Sequence, residues 1–380
     1  MDDEREDRMR ALEVGVSGLS RPPVDVLVPA CRGADEAGFD AVWWADHFLH
    51  WYPPSVWTPD LFPQSATDPT PHTFLDPAPL MGAVAATTGR VQLGVCVTDA
   101  IRRHPAVLAQ TYATIDLLSH GRARLGLGVG EAENIVPYGL PYDRTASRLI
   151  EAAEVIRLLW STHEPVSYAG EFFRLDDAIL GVAGHDGGRP ELWMPAHRPR
   201  VLGAAARLAD GWMPILTDPA EYARLLADLR AGSVAAGRPE DAVAAGLYAW
   251  IVCDEDRDRA EALLDSLALR FVALTAPASL YERHGAEHPL ASRWGLLDFV
   301  PTRVGRDAAV AAARAVPDGV LREYYMWGTP DDVVDRLRPF REAGMEAVNL
   351  TNMTAAADPS LAAATGRRNA DILAGLRRLP

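Results

Sequence analysis

Short apolar runs alternate with longer amphipathic stretches along almost the whole chain. LEVGVSG (12–18) reads as a buried strand, and a helix over about 24–37 ends at Gly38, a residue suited to the left-handed position that closes helices. FDAVWWA (39–45), VQLGVCVT (91–98) and ARLGLGVG (123–130) read as further strands. From His104 to Ser119 the spacing sets Leu108, Tyr112, Ile115 and Leu118 on one helical face, with Gly121 beyond its end. Asp143 is the expected N-cap of a helix that buries Leu149, Ile156 and Leu159. ELWMP (191–195) and GWMPI (211–215) are short strands around another helix, and LYAWIVC (247–253) is a seventh. In the last clear unit, 328–350, Thr329 and Pro330 suit the N-cap and first helical positions, and Gly344 parts helix from strand. Pro339 lies inside that helix and is expected to kink it.

One junction recurs. EAGFDAV (36–42) and EAGMEAV (342–348) agree at five of seven positions, and LADGWMP (208–214) repeats the order of helix end, glycine, strand. About eight strands, each followed by a helix, predict a parallel (β/α)8 TIM barrel forming a single domain over 1–380. A doubly wound dinucleotide fold needs a glycine fingerprint after its first strand, and GVSGLSRPP does not supply one. Three segments exceed what a barrel needs: 48–75, 163–189 (read as a hairpin plus loop) and 274–316. Long insertions of this kind are more often functional covers than spacers.

Composition narrows the chemistry. A net charge of −15 argues against a nucleic-acid partner, whose phosphates demand a basic face. All 37 basic residues are arginine, which removes Schiff-base, pyridoxal and P-loop lysine chemistry. Cys31, Cys96 and Cys253 form neither a disulfide framework nor a zinc motif. The opening MDDEREDRMR does not read as a signal peptide, and no apolar run is long enough to span a bilayer, so a cytoplasmic protein without stable membrane insertion is the expectation.

In a barrel, reactive groups gather at the C-terminal ends of the strands. Asp46 and His47 follow 39–45, and Thr98 and Asp99 follow 91–97. Gly130 and Glu131 follow 123–129, with Asn134 one turn on. Ala196, His197 and Arg198 follow 191–195, just before Pro199 opens a helix. Each has a plainer explanation: a capping carboxylate, a tight turn, a solvated arginine. Their shared register is what points to one cavity. Trp43, Trp44 and Trp51 ring the Asp46–His47 pair, either as packing or as walls for a substrate. His284 and His288 have the spacing of a metal pair, but Pro289 and the lack of nearby carboxylates favour loop histidines, and no metal is expected.

ADEAGFDAVWWADHF, LGVCVTDAIRRHPAVLAQ, GRARLGLGVGEAEN and GTPDDVVDRL…EAGMEAV resemble the bacterial luciferase-like superfamily, in particular the branch that uses the deazaflavin coenzyme F420. The D-H-F…W and G-E-A-x-N motifs are similar to those of F420-dependent glucose-6-phosphate dehydrogenases. LGVCVTDA with RR-x-PAV, the GVGE…PYG turn and the RHG-x-EHP insertion look closer to the mycobacterial phthiodiolone ketoreductases. The likeness runs from about 12 to 350.

The resemblance implies an insertion-bearing barrel, usually a homodimer, with the deazaflavin in its mouth. By position, Asp46 and Thr98 would contact the ring, the latter beside a bulge with a non-prolyl cis peptide near Val95–Cys96. Gly130, Asn134, Ala196, His197 and Arg198 would complete the coenzyme side. His47 would sit near the hydride-bearing carbon, Glu131 would donate the proton, and Trp51, with Trp44, would bound the substrate. Arg198 stands where the family usually has glycine, so it either crowds the coenzyme phosphate or adds charge to it. With no lysine to hold a sugar phosphate, glucose 6-phosphate is an unexpected substrate.

The implied reaction is hydride transfer between reduced deazaflavin and a carbonyl carbon of a bulky, apolar small molecule. Burial would keep Glu131 protonated near neutral pH, with Val129, Trp43 and Trp44 as its expected surroundings. Aromatic residues in the insertions (Trp57, Phe62, Phe74, Trp294, Phe299) suit an apolar substrate or simple packing. The alternatives are an FMN-dependent monooxygenase on the same barrel, an imine or alkene reductase, and a barrel that binds coenzyme without turnover.

Overall fold

Side chains alternate across a strand, so each barrel strand sends every second residue inward. The computed structural model describes residues 11–379; the MDDEREDRMR segment lies outside the described residues. Eight strands form the ring: β1 (Glu13–Ser17), β2 (Ala41–Trp44), β3 (Gln92–Asp99), β4 (Ala123–Gly128), β5 (Glu191–Met194), β6 (Gly211–Trp212), β7 (Ala244–Cys253) and β8 (Ala347–Asn352). Each pairs in parallel with its neighbour in chain order, and Gly15 of β1 beside Asn349 of β8 closes the circle. The chain is therefore a (β/α)8 barrel. Met326–Gly328 adds a short parallel strand beside Ile251–Cys253, too brief for its pattern to register.

Outward residues such as Val14, Val42, Trp44, Val95, Leu125 and Leu192 form the main core beneath the helices. The inward set is different. Trp43 and Trp193 plug the barrel, their rings edge-on at 5.3 Å. They fit because the strands beside them offer glycine: a methyl group on Gly94 would lie 2.3 Å from Trp43, and one on Gly211 2.1 Å from Trp193. Arg124 of β4 lies over both rings and pairs with Glu13 and Glu191.

The helix Pro105–Ser119 buries Leu108, Tyr112 and Ile115 as expected, but Leu118 is exposed; Ser119 takes the buried position instead. Asp143 does not cap the next helix. Arg144, in left-handed backbone, precedes Thr145–Ser161, and Asp143 pairs with Arg148 at 3.0 Å. Thr329 does cap its helix, in a reciprocal arrangement with Asp332, and the helix runs through Pro339 to Glu342. Gly38 and Gly344 have φ of 89° and 104°, the left-handed geometry that suits glycine at these helix ends.

The insertions behave differently from one another. Residues 166–169 and 174–178 form the expected antiparallel hairpin. The other two meet over the barrel: Ser55 donates to the Val304 carbonyl at 3.2 Å, and Arg306 pairs with Asp60. Beneath them lies a second apolar core in which Tyr52, Trp57 and Phe62 stack and reach Phe271, joined by Trp250 and Val252 from the upper end of β7.

Candidate active site

β2 ends at Trp44, and the chain turns out of the barrel carrying Asp46 and His47. Asp46 is buried. It accepts from the Thr98 hydroxyl at 2.6 Å and pairs with Arg103 at 2.5 Å and Arg102 at 3.1 Å. Burial alone would raise its pKa; the two guanidinium groups and the hydroxyl outweigh that and hold it below the ordinary aspartate range. Asp99 keeps Arg102 in place, accepting from its Nε at 2.5 Å and from its backbone N–H at 2.8 Å. The register of β3 against β4 shifts between Val95 and Thr98, and the Cys96–Val97 bond is cis, one residue beyond the position the resemblance implied.

β4 supplies the opposing wall. Gly130 has φ of 81°, and a side chain there would strike Ile135. Glu131 then stands at the N-cap of the short helix Ala132–Ile135, which carries Glu133 and Asn134. Asn134 is oriented by backbone: its Oδ1 accepts from Phe48 N–H at 2.7 Å and Leu49 N–H at 3.3 Å. Its Nδ2 must then face the acids, reaching Glu131 Oε2 at 3.2 Å and His47 Nδ1 at 3.1 Å. His47 Nδ1 also lies 3.0 Å from Glu133 Oε1 and 3.4 Å from Glu131 Oε2.

Burial pushes the Glu131 carboxyl up to about 7, against His47, which lowers it; Glu133 adds to the rise. Glu133, wholly buried, is raised well above the usual carboxylate range by desolvation. The His47, Glu131 and Glu133 ligand atoms lie within 4.8 Å of one another. A cation could be clasped there by distance alone, but the Asn134 N–H points into the same space, so the set suits a shared proton better.

The structure thus joins Asp46 with Thr98, and His47 with Glu131 and Asn134. Ala196, His197 and Arg198 have other partners among the described residues. The Ala196 carbonyl accepts from Trp212 Nε1 at 2.7 Å, and His197 Nε2 lies 3.1 Å from the Ile215 N–H. Arg198 precedes the helix Pro199–Leu208 without capping it and stacks 4.6 Å over Trp294, with Arg293 at the same distance.

Trp51 meets His47 edge-on at 5.5 Å, and its buried Nε1 has no partner among the described residues. Phe74 also touches His47, at 5.3 Å. Trp44 is placed otherwise: it is 1% exposed on the helix side of β2, so packing accounts for it and it cannot wall the cavity. Val95 likewise points outward, leaving only its backbone to the mouth, while Cys96 faces inward. Trp43 belongs to the plug, so neither expected tryptophan makes Glu131's pocket. Trp57, Phe62 and Phe299 are buried in or beside the cover. His284 pairs with Glu323 at 2.7 Å, whereas buried His288 is bonded to Leu274, Leu290 and Ser292.

Sequence reasoning missed Glu133, Arg102 and Arg103. The two arginines lie one turn past Thr98 and could have been found as counterions for Asp46. A glutamate two residues beyond another gives no such signal, because exposure is the default for its type.

Residues 11–347 match the family model for luciferase-like monooxygenases. The chain belongs to this family. It is accordingly an oxidoreductase. Among its relatives is the phthiodiolone/phenolphthiodiolone dimycocerosates ketoreductase of Mycobacterium kansasii, 36% identical over 90% of this chain and 95% of that one. In fold the luciferase-like barrel resembles an F420-dependent secondary alcohol dehydrogenase in complex with an F420–acetone adduct: TM-score 0.75, 24% identity, covering 97% of this chain and 99% of that chain. It also resembles the type II Baeyer–Villiger oxygenating constituent of 3,6-diketocamphane monooxygenase from Pseudomonas putida in complex with FMN: TM-score 0.65, 16% identity, covering 96% and 97%. Among the described residues no helix is long and apolar enough to cross a membrane.

Proposed function

We propose that the protein is an F420-dependent oxidoreductase acting on the carbonyl of a bulky, apolar small molecule. The observation that carries this reading is the placement of the Glu131 carboxyl at the mouth of the barrel, 3.4 Å from His47 Nδ1, where burial pushes it up to about 7. Hydride addition to a carbonyl builds negative charge on oxygen, and a donor protonated near neutral pH meets that need. The coenzyme, when bound, supplies or accepts the hydride.

The residues suit such a group. Asp46 and Thr98 would hold the ring, with Cys96, Gly130 and Asn134 at its edge, and Arg198 would offer positive charge beside the open helix N-terminus at Pro199. The buried, unpartnered Nε1 of Trp51, beside His47, leaves hydrogen-bonding capacity for a ligand with a polar rim. Glu131 would protonate the substrate oxygen, and His47 would orient it. Trp51 and Phe74, which flank His47, give the substrate apolar walls. The ketoreductase relatives favour a ketone. The proposal extends to a cytoplasmic homodimer of one barrel domain, whose oligomeric state light scattering would measure.

Stopped-flow mixing of reduced F420, protein and a panel of long-chain and aromatic ketones tests this reading. Ketone-dependent oxidation of the coenzyme is expected. Glu131→Gln should bind coenzyme normally yet turn over about 100- to 10,000-fold more slowly. The second reading, an FMN monooxygenase, is favoured by the FMN-bound neighbour. It would be upheld by oxygen-dependent turnover with reduced FMN and none with F420.

A further inference from the structure

Glu133 has no task in the mechanism above, and its position is costly. It is wholly buried, in a chain without lysine. Its Oε1 meets His47 Nδ1 at 3.0 Å and Asn134 Nδ2 at 3.5 Å. Its Oε2 is buried with no ordinary donor among the described residues, and the carboxyl group abuts that of Glu131. Arg102 is the cation that faces the pair, and it is already engaged by Asp46 and Asp99. Two adjoining buried carboxylates with no cation of their own cannot both stay ionised. An apolar side chain would fill the position at less cost.

We propose that Glu133 is a positioning residue for proton delivery: it exchanges a proton with the Nδ1 edge of His47 and so sets whether Nε2 offers the substrate oxygen a proton or a lone pair. It rests on the hydride-transfer reading above. The geometry provides the switch. Nδ1 lies 3.1 Å from the Asn134 amide nitrogen and 3.0 Å from the Glu133 carboxyl, with the Glu131 carboxyl further off at 3.4 Å. Nε2 has no hydrogen bond to a described residue and is not among the sealed polar atoms. With the proton on Glu133, Nδ1 is an acceptor and Nε2 carries hydrogen. With the proton on Nδ1, donated toward the Glu133 carboxylate, Nε2 is bare.

For carbonyl reduction the balance is as follows. A reduced deazaflavin, when bound, would supply the hydride for the new C–H bond while the C=O π pair moves to oxygen. That oxygen takes the Nε2 proton, Nδ1 takes the Glu133 proton, and Glu133 is left as carboxylate until Glu131 or solvent restores the proton. Alcohol oxidation runs the same steps backwards. Glu131, whose carboxyl adjoins that of Glu133, is then the source of the proton that reaches the substrate oxygen by way of Glu133 and His47, and solvent restores it. The titratable groups facing Glu133 are His47, Glu131, Arg102, Tyr138 and Tyr142.

The test combines ¹⁵N-histidine NMR of the coenzyme-free protein with kinetics of the F420-loaded enzyme. In the wild type, loss of one proton from the His47–Glu133 pair should move the ring hydrogen from Nε2 to Nδ1. Glu133→Gln should fix one tautomer, lower kcat about 100-fold and abolish the alkaline limb of the kcat profile, with KM and F420 affinity kept. A variant that retains both the tautomer change and the limb overturns the proposal. If Glu133→Gln does not fold, the wild type decides. The signals of the ¹³C-labelled Glu133 carboxyl and of the His47 ring nitrogens must report the same proton exchange, and a change in one without the other overturns it. A tautomer change in a protein that never oxidises reduced F420 with a ketone supports the exchange and removes the hydride-transfer reading instead.

Discussion

Glu131 and Asp46 are both carboxylates at strand ends, yet their surroundings drive them in opposite directions. Asp46 has two guanidinium groups and a hydroxyl, so its folded pKa is depressed. Its contribution to stability is present above the unfolded value of 3.8 and is lost as pH falls through the folded one. Asp46→Asn should cost about 3 kcal/mol in a denaturant melt at pH 7, because it strips a buried counterion from Arg102 and Arg103. Glu131 has the opposite sign. Its folded pKa, about 7, lies above the ordinary glutamate value of 4.5, so the folded state holds a proton that the unfolded chain releases between them. Stability falls over that interval. Glu131→Gln should therefore raise the melting temperature more at pH 8 than at pH 5; an equal change at both would show that the carboxyl is not perturbed. Asp46, His47, Glu131 and Asn134 could be grouped from the sequence because they lie just beyond strand ends, and Thr98 because it stands near the end of β3. Glu133 was not, since nothing in GEAEN says that its second acid faces inward.

At the scale of elements, large residues and glycines are matched across neighbouring strands. Trp43 and Trp193 enter a barrel whose adjacent strands leave room at Gly94 and Gly211. Gly211→Ala should destabilise by about 1–3 kcal/mol, through overpacking against Trp193. Gly33→Ala is the control: it sits in the helix Leu27–Ala37 with nothing within 4 Å of the added methyl, and should stabilise by about 0.5–1 kcal/mol. Both are read from urea melts. Tyr142 joins the catalytic turn to the insertion, its hydroxyl lying 2.6 Å from the Leu297 carbonyl and 3.0 Å from that of Gly130. Tyr142→Phe should speed amide exchange around 295–299 while leaving the barrel strands protected; unchanged exchange would mean that the tether does not hold the cover. Strand pattern alone could not separate Trp43 from Trp44, because both are buried and only the register tells which faces inward.

Across the whole molecule, the repeated helix–glycine–strand junction made the barrel readable, since each unit has the same local chemistry. The meeting of the two long insertions was not readable: their contacts join residues some 250 positions apart, such as Ser55 with Val304, and local pattern carries no trace of such pairs. The proposed occupant of this barrel mouth is a deazaflavin placed for hydride transfer. Titration of the purified protein with F420 and, separately, with FMN, followed by quenching of coenzyme fluorescence, tests it most directly. The account predicts saturable binding of F420 that weakens in Asp46→Ala and Thr98→Val, with FMN bound far less tightly. Saturable binding of FMN with none of F420, or F420 binding indifferent to both substitutions, would contradict it.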